Sequence, residues 1–128
     1  EDITSSLNPD YVYTHFLGDL NIDHRIVSEC VHTCFRPFPG SSVKALMQFE
    51  VLSSTDWSLA HNFSPNFFND ITPFFEKKLE LLKFYDDEMR EVPHSRSYEN
   101  LTNLNKMRGN NVGLEFAEAF VISRAINN

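Results

Sequence analysis

The first third of the chain has a polar and apolar pattern that predicts a strand, a loop and a helix. Tyr11–His15 follows an Asn-Pro-Asp turn and is rich in aromatic and β-branched residues, which predicts a strand. Residues 16–22 form a loop in this interpretation. Asp23 is then the predicted N-cap of a helix that ends near Phe35, since its apolar residues recur at helical spacing. Those residues are Ile26, Val27, Cys30, Val31, Cys34 and Phe35.

Further along, the pattern predicts a second strand, a long loop and two more helices. Residues 45–51 form the predicted strand, and residues 52–70 lack a period and form the predicted loop, which is rich in aromatic side chains. Thr72-Pro73 begins a helix to about Met89, and Ser97 begins another that ends near Gly109. Residues 114–126 fit either a strand or a helix. Strand, loop, helix, strand is the beginning of an α/β fold with a parallel sheet, in which ligands bind where strands end.

Composition narrows the class of protein. With 128 residues the chain fits one domain, and its formal charge of −7 disfavours nucleic acid or an anionic membrane as a partner. No apolar run approaches the ~20 residues of a transmembrane segment, and no secretory signal is evident. We interpret Cys30 and Cys34 as reduced core residues of a cytoplasmic protein. The first residue is Glu1 rather than Met, which indicates a trimmed, processed or subcloned chain.

The predicted loop before the first helix concentrates groups that could support metal chemistry. Residues 18–25 contain two carboxylates, an amide and an imidazole. A catalytic zinc commonly has three protein ligands and an open position, and a carboxylate often orients a histidine ligand. His24 would then bind the metal, and Asp23 would support it or a neighbouring catalytic group. The alternative is that Asp23 is only a helix cap and His24 is merely exposed to solvent.

Several short segments together resemble one enzyme family. They are residues 9–15, 18–25, 49–51, 53–57, 63–66, 93–97, 108–109 and 117–120, beginning with Pro9-Asp10 and ending with Ala119-Phe120. In this order they resemble the PIG-L/LmbE family of zinc-dependent N-acetylglucosaminyl deacetylases, over nearly the whole chain. The resemblance implies a Rossmann-like α/β fold and hydrolysis of an acetamide on an amino sugar. Residues 1–128 would be the C-terminal part of such a domain.

The resemblance also implies that the metal site is incomplete in this chain. In the family, zinc is held by a His and an Asp of an N-terminal His-Pro-Asp-Asp motif and by a later His, which corresponds to His24. The other Asp of the motif is the general base. No His-Pro-Asp-Asp segment occurs here. We therefore expect that the isolated chain is inactive, and that it self-associates or is completed by an N-terminal segment.

Other site residues are expected from the same resemblance. Many members have a catalytic His where Asn21 stands; Asn21 could donate a hydrogen bond to an oxyanion but could not transfer a proton, so His15 or His94 could replace that acid. With Asp23, the catalytic candidates are thus Asn21 and His15. His94, Arg96 and Trp57 are candidates for substrate binding. The alternatives are that Arg96 pairs with a structural acid and that Trp57 anchors its loop to the core.

These observations predict de-N-acetylation of an N-acetylglucosamine-containing small molecule or glycolipid precursor by the parent protein, with zinc as cofactor. The alternative is a non-catalytic binding or assembly module derived from the same fold, which Asn21 and the missing motif favour. A third interpretation is an unrelated small α/β protein.

Overall fold

A computed structural model describes residues 7–127 of the chain. These residues form two compact units. One consists of the residues up to Asn66 together with those from Phe120 onward, and the other is Phe67–Ala119.

The first unit begins with a strand, a helix and a second strand: β1 (Tyr11–His15), α1 (Ile22–Cys34) and β2 (Ala45–Phe49). The two strands are parallel, with Tyr11 opposite Ala45 and His15 opposite Phe49. The predicted parallel arrangement is therefore confirmed. β1 has the predicted bounds, and β2 ends two residues before its predicted end.

Alternation along β1 explains how this unit forms its core. Val12 and Thr14 are buried, whereas Tyr11 and Tyr13 on the opposite face are exposed. Successive strand residues point to opposite faces, so only one face of β1 is covered. One buried cluster consists of Val12, Val43 and Leu46, against which Val31 and Phe35 pack. A second consists of Ala45, Met47 and Phe120.

Helix α1 begins earlier than predicted. Its N-cap is Asn21, whose side-chain oxygen accepts a 2.9 Å hydrogen bond from the backbone N–H of Asp23. The prediction of Asp23 as N-cap is wrong, because Asn is as good a cap as Asp and lies where the backbone is still extended. The prediction that both cysteines lie in the core is also wrong: Cys30 is exposed and Cys34 is half-buried, and both are free thiols.

The ambiguous C-terminal segment is a strand, β4 (Ala117–Ala125). Its final part pairs antiparallel with β2 and contains a bulge. Leu46 lies opposite Arg124 and Met47 lies opposite Ile122, so Ser123 is the extra residue on β4. Such bulges redirect side chains and often lie near functional sites.

The second unit contains β3 (Phe67–Asp70), α2 (Phe75–Leu82) and α3 (Tyr98–Asn110). The long predicted loop therefore ends in a strand. The long predicted helix after Thr72 is broken: short 3₁₀ turns precede and follow α2, and Tyr85 has non-helical φ and ψ of −116° and 26°. The predicted start of α3 is confirmed, since the Ser97 side chain accepts a hydrogen bond from the N–H of Asn100.

The strands form one four-stranded sheet in the order β1-β2-β4-β3, in which β1 and β2 are parallel and β2 and β4 are antiparallel. This mixed α/β sheet is compatible with the predicted Rossmann-like class. Among the described residues, no helix is long and apolar enough to cross a membrane.

Candidate functional site

The candidate site lies at the carboxyl end of β1, in the loop that leads into α1. Its central residue is Asp19, whose side chain is almost completely buried, with 1% exposure. Oδ1 of Asp19 accepts a 2.8 Å hydrogen bond from the backbone N–H of Asn21. Burial of a carboxylate costs free energy unless the carboxylate accepts hydrogen bonds. The backbone of the loop provides one of them.

Two hydroxyl groups from a distant segment complete the environment of Asp19. Ser54 donates a hydrogen bond to Oδ1, and Thr55 donates one of 2.6 Å to Oδ2. Both hydroxyl-bearing residues are buried. The preceding residue, Ser53, has a φ of 62°, in the left-handed region that is unusual for residues other than glycine. The 53–55 turn is thus held against the Asp19 loop by side-chain hydrogen bonds.

The hydrogen bonds keep Asp19 ionised. Burial raises the pKa of the Asp19 carboxyl, but the donors Ser54, Thr55 and the Asn21 N–H, with a smaller contribution from His24, outweigh burial and hold this pKa below its usual range. The site therefore contains a fixed, buried negative charge at neutral pH.

His24, in the first turn of α1, directs one ring nitrogen at this charge. Its Nδ1 lies 3.2 Å from Oδ1 of Asp19, and its side chain is 21% exposed. A carboxylate accepts only, so Nδ1 carries the proton in this contact and Nε2 is the nitrogen with a lone pair. A carboxylate that orients a histidine in this way is the usual surrounding of a metal-binding imidazole.

The imidazole of His15 stacks on that of His24. The ring centroids are 4.1 Å apart and the ring planes differ by 18°. Phe49 contacts the His15 ring as well, at 4.8 Å between centroids. Burial, and then the neighbouring His24, lower the pKa of His15, while Asp19 opposes this effect. Nδ1 of His15 is buried and has no hydrogen-bond partner among the described residues.

Asn21 and Asp23 have structural positions in the same loop. Oδ1 of Asn21 caps α1, and Asp23 is exposed in the first helical turn. The carboxylate that orients His24 is thus Asp19, which the sequence indicates only as one of two carboxylates in the loop. Arg25 also braces the loop, since its guanidinium donates hydrogen bonds of 2.8 and 2.7 Å to the carbonyls of Asp19 and Leu20.

The predicted substrate-binding residues belong to different units. Trp57 lies two residues after Thr55 in the first unit and is 46% exposed. His94 and Arg96 lie in the second unit, where Nδ1 of His94 accepts a 3.0 Å hydrogen bond from the N–H of Arg96. Arg96 also forms a 2.9 Å ion pair with Glu88. This pair favours the alternative interpretation, in which Arg96 holds its loop through an acid.

The donor set fits one side of a zinc site. Among residues 7–127, no three His, Cys, Asp or Glu side chains are grouped so that they could hold a metal ion. The imidazole of His24 is oriented by Asp19, and its Nε2 could bind a metal ion.

Ser54 and Thr55 are the site residues that sequence reasoning missed. Their segment is part of the family resemblance, but no role follows from local spacing. They lie 35 and 36 residues from Asp19 along the chain. The sequence does contain two features that could have indicated them. Two adjacent hydroxyl residues follow one predicted strand, and an acidic residue lies in the loop that follows the neighbouring strand.

Comparisons with known proteins find a similar fold. No family model matches the chain, and neither does any curated protein. The structure is similar to the crystal structure of the conserved protein TT1542 from Thermus thermophilus, with a TM-score of 0.69 and 17% sequence identity. The likeness covers 98% of this chain and 57% of that one, so the chain spans little more than half of the neighbour's length. At this identity the likeness shows a shared α/β fold alone.

Proposed function

We propose that this chain forms one side of the active site of a zinc-dependent de-N-acetylase, which acts on a small molecule or glycolipid precursor containing N-acetylglucosamine. The observation that carries the proposal is the contact between Asp19 and His24 at the carboxyl end of β1. It supplies an imidazole with a fixed tautomer, at the edge of the sheet where α/β proteins bind ligands. The PIG-L/LmbE resemblance supplies the reaction.

Within this proposal, His24 is the metal ligand through Nε2, and Asp19 orients it. Zinc, when bound, lowers the pKa of a water molecule and polarises the amide carbonyl. His15 is the proposed proton donor, because its ring lies against that of His24 at the carboxyl end of β1. Asn21 is committed to capping α1 through Oδ1, so only its amide N–H₂ group could contact a developing oxyanion.

The remaining predicted roles stay proposals. Asp23, exposed beside the loop, would interact with a neighbouring catalytic group, and Trp57 would line the sugar-binding cleft. His94 and Arg96, which belong to the second unit, would contact substrate. A cytoplasmic location also remains a proposal.

We further propose that a partner covers the outer side of the first unit. β1 is a terminal strand of the sheet, with Tyr11 and Tyr13 exposed. On α1, Ile22, Ile26 and Val27 are 46–60% exposed. Exposed apolar patches of this kind mark interaction surfaces, and unpaired edge strands pair readily. The proposed partner is a complementing N-terminal segment or a second copy of the chain. Sedimentation of the 128-residue chain tests the second: a monomer at all concentrations would contradict self-association.

The deacetylase proposal is tested with the complete protein that contains this chain. We expect zinc-dependent acetate release from compounds containing N-acetylglucosamine, and loss of both bound zinc and activity in His24→Gln. His61→Gln is the matched control, since His61 is exposed and belongs to the same unit. The isolated chain should be inactive. Full activity in His24→Gln, or robust activity from the isolated chain, would contradict the proposal.

The alternative function is a non-catalytic binding or assembly module. It is favoured by one observation, the use of Asn21 as a helix cap where the deacetylase family often has a catalytic His. The same assay separates the two functions. A folded complete protein that releases no acetate, yet binds amino sugars or another chain, would support the module.

A further inference from the structure

We propose that Ser123 and His32 form a second reactive site, in which His32 is the base for the Ser123 hydroxyl and Ser123 accepts acyl or phosphonyl groups from activated esters. The site uses neither Asp19 nor His24 and does not rest on the deacetylase proposal. Nε2 of His32 lies 3.0 Å from Oγ of Ser123, although the two residues are 91 positions apart.

The bulge in β4 accounts for the position of Ser123. Because Arg124 and Ile122 lie opposite consecutive residues of β2, Ser123 has no partner of its own in the strand pairing. Its side chain is exposed and turned toward α1, which carries His32. Without the bulge, Ser123 would lie opposite a residue of β2. Bulges that redirect a side chain are frequent beside active sites.

Hydrogen-bond partners determine where the Ser123 proton lies. The N–H of Leu17 donates a 2.7 Å hydrogen bond to Oε1 of Gln48, which orients the Gln48 amide so that its NH₂ group donates one of 2.7 Å to Oγ of Ser123. On the other side, the carbonyl of Ser28 accepts a 2.7 Å hydrogen bond from Nδ1 of His32. The Nε2 of a neutral His32 is therefore an acceptor, and the Ser123 hydroxyl donates to it.

This arrangement has the groups that activate a serine nucleophile. A base must receive the hydroxyl proton, and a third group must hold the base in the correct tautomer. His32 is the base, and the Ser28 carbonyl is the third group. The hydrogen bond from buried Gln48 additionally holds Oγ in place, with its hydroxyl proton directed at His32.

The chemical step is an ordinary acyl transfer. Oγ of Ser123 forms a bond to the carbonyl carbon of an activated ester while its proton moves to Nε2 of His32. The ester C–O bond then breaks, and His32 returns the proton to the leaving oxygen, which leaves an acyl group on Ser123. With a fluorophosphonate, the Oγ–P bond forms while the hydroxyl proton moves to Nε2 of His32, and the P–F bond breaks with fluoride as the leaving group.

A fluorophosphonate probe tests the proposal on the 128-residue chain. The rate of labelling is followed by intact mass, and the modified residue is identified by peptide mapping. We expect labelling at Ser123 that Ser123→Ala abolishes and that His32→Gln slows by about 100-fold or more, the usual contribution of a general base. Ser64→Ala and His61→Gln are the matched controls, since both side chains are exposed and in the same unit; neither should change the rate.

The outcomes separate a reactive pair from a purely structural contact between α1 and β4. Absence of label at Ser123 in the folded wild-type chain would overturn the proposal, as would an unchanged rate in folded His32→Gln. If circular dichroism shows that a variant is unfolded, the wild-type chain alone still tests the proposal. Ser123 must then react about 100-fold faster than exposed Ser64, and equal rates would overturn the proposal.

Discussion

Oδ1 of Asp19 lies 3.2 Å from Nδ1 of His24, and the carboxylate is buried while the imidazole keeps 21% of its surface exposed. Asp19 is therefore held in place by the surrounding protein, and His24 is oriented by Asp19. Ser54 and Thr55 fix Asp19 through their hydroxyl groups. This relationship separates the role of Asp19 from that of Asp23, which is adjacent to His24 in sequence and is exposed to solvent.

We predict that Asp19→Asn weakens zinc binding by the complete protein about 10- to 100-fold, the usual effect of losing the carboxylate that orients a histidine ligand. The amide keeps the size of the side chain but removes its charge. Zinc affinity is measured by competition with a chelating dye. Asp23→Asn is the control and should change affinity little. A larger loss in Asp23→Asn would assign the orienting role to Asp23.

We also predict that Asp19 contributes to stability in a pH-dependent way. Asp19→Ala should reduce the free energy of unfolding by about 1–3 kcal/mol or more at neutral pH, because it leaves the buried Ser54 and Thr55 hydroxyls without their charged acceptor. The pKa of Asp19 is lowered in the folded state. Its contribution is thus complete above the ordinary aspartate value of about 3.9 and is lost as the pH falls through the lower folded value.

Urea unfolding of the isolated chain at neutral pH and below about pH 3.9 checks this prediction. The difference between the wild type and Asp19→Ala should shrink as the pH falls. Asp87→Asn serves as the control, because that carboxylate is exposed and should alter stability little at either pH. A difference that grows on acidification would contradict the assigned sign.

Much of the fold near the site was predictable from local patterns. β1 has the predicted bounds, and the polar loop before α1 lies where a parallel strand ends. The exact start of α1 was not predictable, because Asn21 and Asp23 are equally good caps; in the structure the N–H of Asn21 also donates a part-buried hydrogen bond to Asp19. The choice of cap decides which of the two carboxylates faces His24.

Long-range contacts account for what the sequence could not predict. Ser54 and Thr55 reach Asp19 only because β2 lies beside β1 in the sheet, so their role depends on strand pairing. The break after α2 is another case: the apolar spacing continues past Leu82, but Tyr85 leaves the helical region of φ and ψ. Periodicity records which residues could share a helix face, and tertiary structure decides where the helix ends.

In the second unit we predict that Gly109→Ala destabilises the protein, although alanine is the better helix former. A Cβ at this position would lie 2.8 Å from the carbonyl oxygen of Leu114 and 2.9 Å from the backbone of Glu115. Neither is the movable end of a side chain, so the backbone must shift, at a cost of about 1–3 kcal/mol. Thermal unfolding measures the change, and Asn110→Ala on the same helix is the control. Equal stability of Gly109→Ala and wild type would show that the turn after α3 yields easily.

Finally, substitutions at Asn21 separate its structural role from a catalytic one. Asn21→Ala should cost about 0.5–2 kcal/mol, because the N–H of Asp23 loses its cap, while Asn21→Asp should be nearly neutral. Asn21→His should lose the same stability as Asn21→Ala and place an imidazole where many members of the resembled family have one. In the complete protein, Asn21→His should therefore raise the rate of acetate release above that of Asn21→Ala. Equal rates for these two variants would mean that a proton donor at position 21 does not contribute to acetate release. Either His15 then already donates the proton, or the protein is the non-catalytic module.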